Sequence, residues 1–360
     1  MSSDIENLTE KTTKLSIDPV YNTNWCDIPA EIKLKCIGKL EFKERLSLRR
    51  TAKAERSLVD LQKIDFNYGY FWKNEGNLIF YVKTEKISLS IYNRHEYSKR
   101  FRNENEALIV MKHIWRIGVF EYLKISFVDS FTHNEEFMNF DGLFNAKEIN
   151  IERCHSDNLL PILQKLKNGV ESILMNVDGG KVDSFDKILA FPQVRNSRSL
   201  RFRNYNQTDS LYKIAQKWID KNSKIESAFL VSVYEKEGSF EEFLEHFDDR
   251  IVSNTGKRVR ICTNNPDRHI LLERGLDDVV DLDCTLKYFR LSVISAEMNE
   301  SEYDDNVANW VFDLDPTVYD SCDLEEFFEQ YQDMYGYSHA DDTEYFFIHG
   351  RHRIEDSDTD

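Results

Sequence analysis

Ala146-Lys147-Glu148-Ile149-Asn150-Ile151-Glu152-Arg153-Cys154 alternates apolar and polar side chains around a central Ile-x-Ile. That is the period of a strand with one buried face. The same kind of pair stands before it at Ile125/Phe127. It recurs after it at Ile173/Met175, Leu200/Phe202, Phe229/Val231, Val259/Ile261 and Phe289/Leu291. The first members of successive pairs are 24, 24, 27, 29, 30 and 30 residues apart. Between the pairs lie stretches with helical apolar spacing, such as Ser156–Lys167 and Asp209–Asp220, the latter with Leu211, Ile214, Ala215, Trp218 and Ile219 on one side. A strand with one return segment cannot bury both its faces alone, whereas stacked neighbours can. The pattern therefore predicts a β-α solenoid over residues 122–294.

Two units, Ala146-x-x-Ile149-x-Ile151-x-x-Cys154 and Leu286-x-x-Phe289-x-Leu291, fit leucine-rich-repeat spacing. Ser197, Glu226 and Gly256 hold the first position elsewhere, so the expected array is irregular. The alternative is a doubly wound α/β domain. Such sheets carry Gly-rich strand-to-helix turns at their ligand site, and the first units here have none. The expected class is mixed α/β: N-terminal helices, then a leucine-rich-repeat-like solenoid.

Residues 1–24 are polar and aperiodic and are expected to be disordered. From Ile28 to Leu61 the apolar spacing is helical, with a turn expected at Glu41–Glu44. Residues 63–121 read as a connector with short strands at 63–66, 78–82 and 87–91 and a helix at about 105–119. Residues 295–360 form an acidic C-terminal segment with apolar anchors that include Trp310, Val311, Phe312 and Leu314. Parts of it are expected to cap the last repeat.

The chain of 360 residues carries 47 basic and 64 acidic side chains, a net charge of -17. This excludes an unaided grip on nucleic acid or anionic lipid, which needs clustered Lys and Arg. The charge is unevenly placed: residues 291–350 hold 16 acidic and no basic groups. No run reaches the roughly 18 apolar residues of a membrane helix. The N-terminus lacks the basic and apolar regions of a signal peptide. Six Cys without a C-x-x-C pair fit reduced thiols. The expected location is cytoplasmic or nuclear.

Motifs for chemistry are weak. Gly179-Gly180-Lys181-Val182 lacks the Ser or Thr and the earlier Gly of a phosphate loop. His349-Gly350-Arg351-His352 has no second ligand pair beside it, and adjacent Cys154 and His155 would point to opposite faces of a strand. The expectation is no catalytic residue, no metal and no cofactor.

Ile28-Pro29-Ala30-Glu31-Ile32, followed by Ile37, Leu40, Phe42, Leu46, Leu48, Thr51-Ala52-Lys53 and Leu58, resembles an F-box. Pro29 and Leu40 have the family's spacing. Ile28 replaces the usual Leu, and Leu58 stands where Trp or Phe is common. The stretch Trp25–Asp60 further resembles the nematode-expanded F-box proteins whose chains continue into F-box-associated or FTH-type regions. The resemblance covers residues 25–62 firmly and 122–294 loosely. It implies a non-enzymatic substrate-recognition subunit of an SCF-type ubiquitin ligase, whose F-box binds the adaptor Skp1 and through it a cullin. Ile28, Pro29, Ile32, Ile37, Leu40, Leu46 and Leu48 match the motif positions that contact the adaptor. A leucine-rich-repeat scaffold without a ligase role is the alternative.

The solenoid reading puts Ser126, Asn150, Asn176, Arg201, Arg203, Arg258, Arg260 and Arg290 on the face opposite the apolar pairs. The five arginines, Arg201, Arg203, Arg258, Arg260 and Arg290, are the candidate substrate-binding residues. Arg pairs bidentately with carboxylate and phosphate, so an acidic or phosphorylated protein substrate is expected. The acidic C-terminal segment could lie across the same strip.

Overall fold

A computed structural model describes residues 24–315, except 52, 54, 75–76, 85–95, 102, 127–138, 155, 178–184, 206–208, 235–237, 276–279, 282–283 and 304–306. The phosphate-loop-like turn at Gly179, the histidines near the C-terminus and the strand expected at 87–91 lie outside these residues. The chain divides into two units at Lys63/Ile64. Among the described residues the first holds the α-helices α1 (Ala30–Ile37), α2 (Phe42–Thr51) and α3 (Arg56–Leu61). The turn expected at Glu41–Glu44 falls instead at residues 38–41. Glu44 folds its carboxylate back to accept from the Glu41 N–H at 2.8 Å, and this side chain starts α2 rather than interrupting a helix.

The second unit is built on one sheet. Its strands are β1 (Ile64–Asn74), β2 (Asn77–Lys83), β3 (Glu96–Phe101), β4 (Gly118–Ser126), β5 (Ala146–Cys154), β6 (Ser172–Val177), β7 (Ser199–Tyr205), β8 (Ala228–Tyr234), β9 (Ile251–Asn254), β10 (Arg258–Cys262), β11 (Arg268–Arg274), β12 (Val280–Asp281) and β13 (Cys284–Ser295). They lie in the order β3-β2-β1-β4-β5-β6-β7-β8-β13-β11-β10-β9, with β12 beside β13. The joints from β1 through β8 are parallel, and those outside this stretch are antiparallel. The parallel strands follow chain order without the reversal that marks a doubly wound sheet.

Register explains why the apolar pairs recur. Leu123, Ile149, Ile173, Leu200 and Phe229 stand side by side, and the row continues through Leu291 and Leu272 to Val259. Every member is buried. A second row runs Phe71, Ile125, Ile151, Met175, Phe202, Val231 and Phe289. The helices of the return segments fill this face. Trp115 of α4 (Glu104–Ile117) lies 5.4 Å from Phe71, and Phe185 of α6 (Phe185–Ala190) lies 5.3 Å from Phe202. The intervening α5 spans Ser156–Gln164, and α7 (Pro192–Asn196), α8 (Ser210–Lys221) and α9 (Ser239–His246) follow.

Two sequence expectations are corrected by this register. The first pair is Leu123/Ile125 rather than Ile125/Phe127, because Leu123 aligns with Ile149. Leu123, Ile125 and Phe127 alternate, so a slip of two residues keeps the same face and periodicity cannot exclude it. The row also starts earlier, in β1, where Gly69 opposes Leu123. A Cβ at Gly69 would lie 2.5 Å from the Phe120 ring, so the position stays empty to admit that ring, and its apolar signature is lost.

The last two pairs are not β-α units. Five residues join β10 to β11, far short of the dozen or more that a parallel crossover needs. β9, β10 and β11 therefore fold as an antiparallel meander, and β13 inserts between β11 and β8.

The opposite face receives the chain's own C-terminal part. Trp310, Val311 and Leu314 of α10 (Val307–Leu314) pack with Leu174, Leu230, Leu286 and Tyr288. Tyr303 packs with Leu271 and Ile294. Trp310 is 4% exposed. Trp310→Ala is expected to lower the unfolding free energy of this unit by about 3 to 5 kcal/mol, because the surrounding strands cannot close the cavity. Urea unfolding followed by far-UV dichroism measures it.

Candidate functional site

The N-terminal helices are held by few, well-placed polar contacts. Asn24 accepts from the Cys26 N–H at 3.1 Å and starts a 3-10 turn at Trp25–Asp27. Pro29, which has no N–H to satisfy, then opens α1, and its carbonyl accepts from the N–H groups of Ile32 and Lys33. At the other end of α1, Arg45 of α2 donates to the carbonyls of Leu40 at 2.8 Å and Gly38 at 3.0 Å. Gln62 donates to the Leu34 carbonyl at 2.5 Å. Arg49 and Asp60 join α2 to α3 through two hydrogen bonds, 2.6 and 3.1 Å.

The residue that sequence reasoning missed is Glu55. Its buried carboxylate accepts from Trp25 Nε1 and from Lys33 Nζ, both at 3.2 Å. The Lys33 ammonium also sits 5.7 Å from the centre of the Trp25 ring. One carboxylate thus ties the entry turn, α1 and the start of α3 together. A single acid among many in a charged stretch carries no sequence signal for this. Glu55→Ala removes the carboxylate from the half-buried Lys33 ammonium, which keeps only its 3.5 Å bond to the Cys26 carbonyl, and from the Trp25 indole N–H, and a loss of about 1 to 3 kcal/mol in this unit is expected. Amide hydrogen exchange of α1 reads it without interference from the sheet.

The seven motif residues divide by burial. Ile37 is 0% exposed and lies in the interior of the helices rather than on their surface. Ile28, Leu40, Leu46 and Leu48 are half-buried, whereas Pro29 and Ile32 are exposed. Leu61, outside that set, is 70% exposed.

All five arginines lie on the sheet face opposite the buried rows, and the chain itself engages each of them. Arg260 is the most enclosed. It donates to the carbonyls of Ser295, Ala296 and Met298, to the Tyr303 hydroxyl and to His269 Nδ1. Arg258 and Arg290 share the buried carboxylate of Glu273, at 3.2 and 2.5 Å. Arg290 also stacks 5.4 Å from the Trp310 ring. Arg201 donates to the Asp313 carbonyl at 3.2 Å, and Arg203 donates to that of Leu314. Both therefore satisfy the last turn of α10, where carbonyls lack helical partners and the dipole is negative. Among the described residues no cluster of His, Cys, Asp and Glu is arranged to hold a metal ion.

Arg260 also sets a pH dependence. Burial, and then the adjacent Arg260 guanidinium, hold the His269 imidazole below its ordinary 6.5. A proton on Nδ1 would displace the 2.7 Å bond from Arg260 Nε. The unfolded chain takes up that proton near 6.5 and the folded chain does not, so stability falls as pH drops from 6.5 toward the depressed value. Above 6.5 this contribution is constant. Melting curves from about pH 7.5 to about pH 5 should show a smaller acid loss in His269→Gln than in the native chain.

The F-box domain model matches residues 25–67, which take in α1, α2, α3 and the start of β1. No curated protein and no solved structure matches the chain.

Proposed function

We propose that this protein is the substrate-recognition subunit of an SCF-type ubiquitin ligase. The observation that carries the reading is the F-box match at residues 25–67, on helices that keep Pro29 and Ile32 exposed. In this reading those residues, with the half-buried Ile28, Leu40, Leu46 and Leu48, meet a Skp1-like adaptor and through it a cullin. The sheet unit then holds a protein substrate near the charged ubiquitin, and its contribution is effective concentration rather than chemistry. The chain-order parallel strands support a leucine-rich-repeat-like solenoid as the holding surface. The resemblance of Trp25–Asp60 supports a place among the nematode-expanded F-box proteins. A cytoplasmic or nuclear site of action follows from the same reading.

Ile32 is the residue for a test, because it can be changed without touching the interior. Ile32→Glu is expected to weaken Skp1 binding by at least about tenfold, since a charge would be buried without a partner. Its melting temperature should stay unchanged. Ile37→Asp, a change inside the helices, should lose fold and binding together. Adaptor titrations by calorimetry decide the matter. A native chain that shows no Skp1 affinity sinks the ligase reading and leaves a scaffold.

A further inference from the structure

The face that carries the arginines has two halves of different character. α10 and the residues around Tyr303 pack on the half formed by β6, β8, β10, β11 and β13. Strands β1, β4 and β5 present a different surface on the same side. In register, Tyr68 stands beside Tyr122 and Glu148, and Tyr70 beside Lys124 and Asn150. The aromatic rings are paired. Tyr70 and Trp72 stack at 4.2 Å, and Tyr68 and Tyr122 at 5.3 Å with only 9° between their planes. All four side chains are partly exposed.

The polar groups between the rings have acceptor capacity left over. Asn150 is 4% exposed. Its Nδ2 donates to the Tyr122 hydroxyl at 3.1 Å and to Glu152 Oε1 at 3.2 Å. Among the described residues its Oδ1 accepts nothing. A buried amide oxygen without a donor costs free energy that an incoming N–H would recover. Glu148 is partly exposed and lies 3.9 Å from Arg201, whose shorter bonds go to Ser172 and Asp313. Lys124 is already satisfied: it pairs with Glu152 at 2.9 Å and lies 5.0 Å from the centre of the Tyr70 ring.

We propose that this aromatic, acceptor-rich patch on β1, β4 and β5 is where the substrate docks, and that it takes arginine side chains from an extended protein segment. The proposal rests on the reading of the chain as a substrate receptor. A guanidinium has five donors, no acceptor and a flat face that stacks on rings. It matches Asn150 Oδ1, the Glu148 carboxylate and the two aromatic pairs together. A phosphate or carboxylate finds no such complement, because the arginines that would read it are engaged by α10, by Glu273 and by the carbonyls of Ser295, Ala296 and Met298.

The experiment uses the full chain and four short degenerate peptide pools that differ only in a fixed central residue: arginine, citrulline, lysine or phosphoserine. Fluorescence anisotropy should show the arginine pool bound about tenfold more tightly than the citrulline pool, which keeps the shape and loses the charge. Glu148→Lys, at a partly exposed position, should erase most of that preference. Tyr70→Ala should weaken the arginine pool without altering the order of the others. Equal binding of arginine and citrulline, preference for phosphoserine, or an unchanged arginine preference in Glu148→Lys would each overturn the proposal. Skp1 titration of the same samples separates the two ideas. Adaptor binding without arginine preference removes the dock alone, and arginine preference without adaptor binding removes the ligase reading alone.

Discussion

Everything in the sheet unit depends on one constraint: the rows that contain Leu123 and Ile125 must be covered, and they are covered from one side only. Because the parallel strands are laid down in chain order, crossovers of one hand land on one face, and among the described residues Trp115 of α4 and Phe185 of α6 pack there. Phe71, Ile125, Ile151, Met175, Phe202 and Val231 face the helices, and the residues between them face away. Such a sheet has a second face that its own repeats do not supply with helices. The chain fills part of that face with α10, anchored by Trp310, and leaves the tyrosine-rich part different in kind.

The two faces use different physics. The helix side is dispersion and apolar burial, with the ring centres of Phe185, Phe202 and Phe229 5.3 to 6.2 Å apart. The other side is charge management. Glu273 is buried between Arg258 and Arg290, and Arg260 is enclosed by carbonyls. Buried charges are tolerated when each has its partners, and are poor sites for outside ligands for the same reason. Each of the five arginines on this face already has partners within the chain. Helix-end carbonyls and a single glutamate account for four of them, and loop carbonyls for Arg260.

Much of this architecture can be read from alternation alone, and the failures have physical causes. The pairs Ile149/Ile151, Ile173/Met175, Leu200/Phe202 and Phe229/Val231 align as their spacing implies, because a strand buried under helices must keep its apolar side chains in step. Leu123/Ile125 was displaced by two because Phe127 continues the same alternation. The β10–β11 hairpin carries the same apolar pair as a β-α unit, and only the short link at Thr263–Asp267 distinguishes it. The F-box was legible through its resemblance to the family's motif, which Pro29 and Leu40 match in spacing. Glu55 was not, because its role arises from contacts with Trp25 and Lys33 that lie distant in sequence.

The clamp on α10 also decides how the molecule would bear load. Arg201 and Arg203 of β7 grip the last turn of α10, so Asp315 sits over the middle of the sheet rather than over an edge. A pull applied at Asp315 is therefore borne by those guanidinium-to-carbonyl contacts, by the Tyr288 hydroxyl that donates to Asp315, and by the Trp310 anchor. The hairpin edge at β9, which would unzip one bond pair at a time, stays out of the line of force until that anchor gives way.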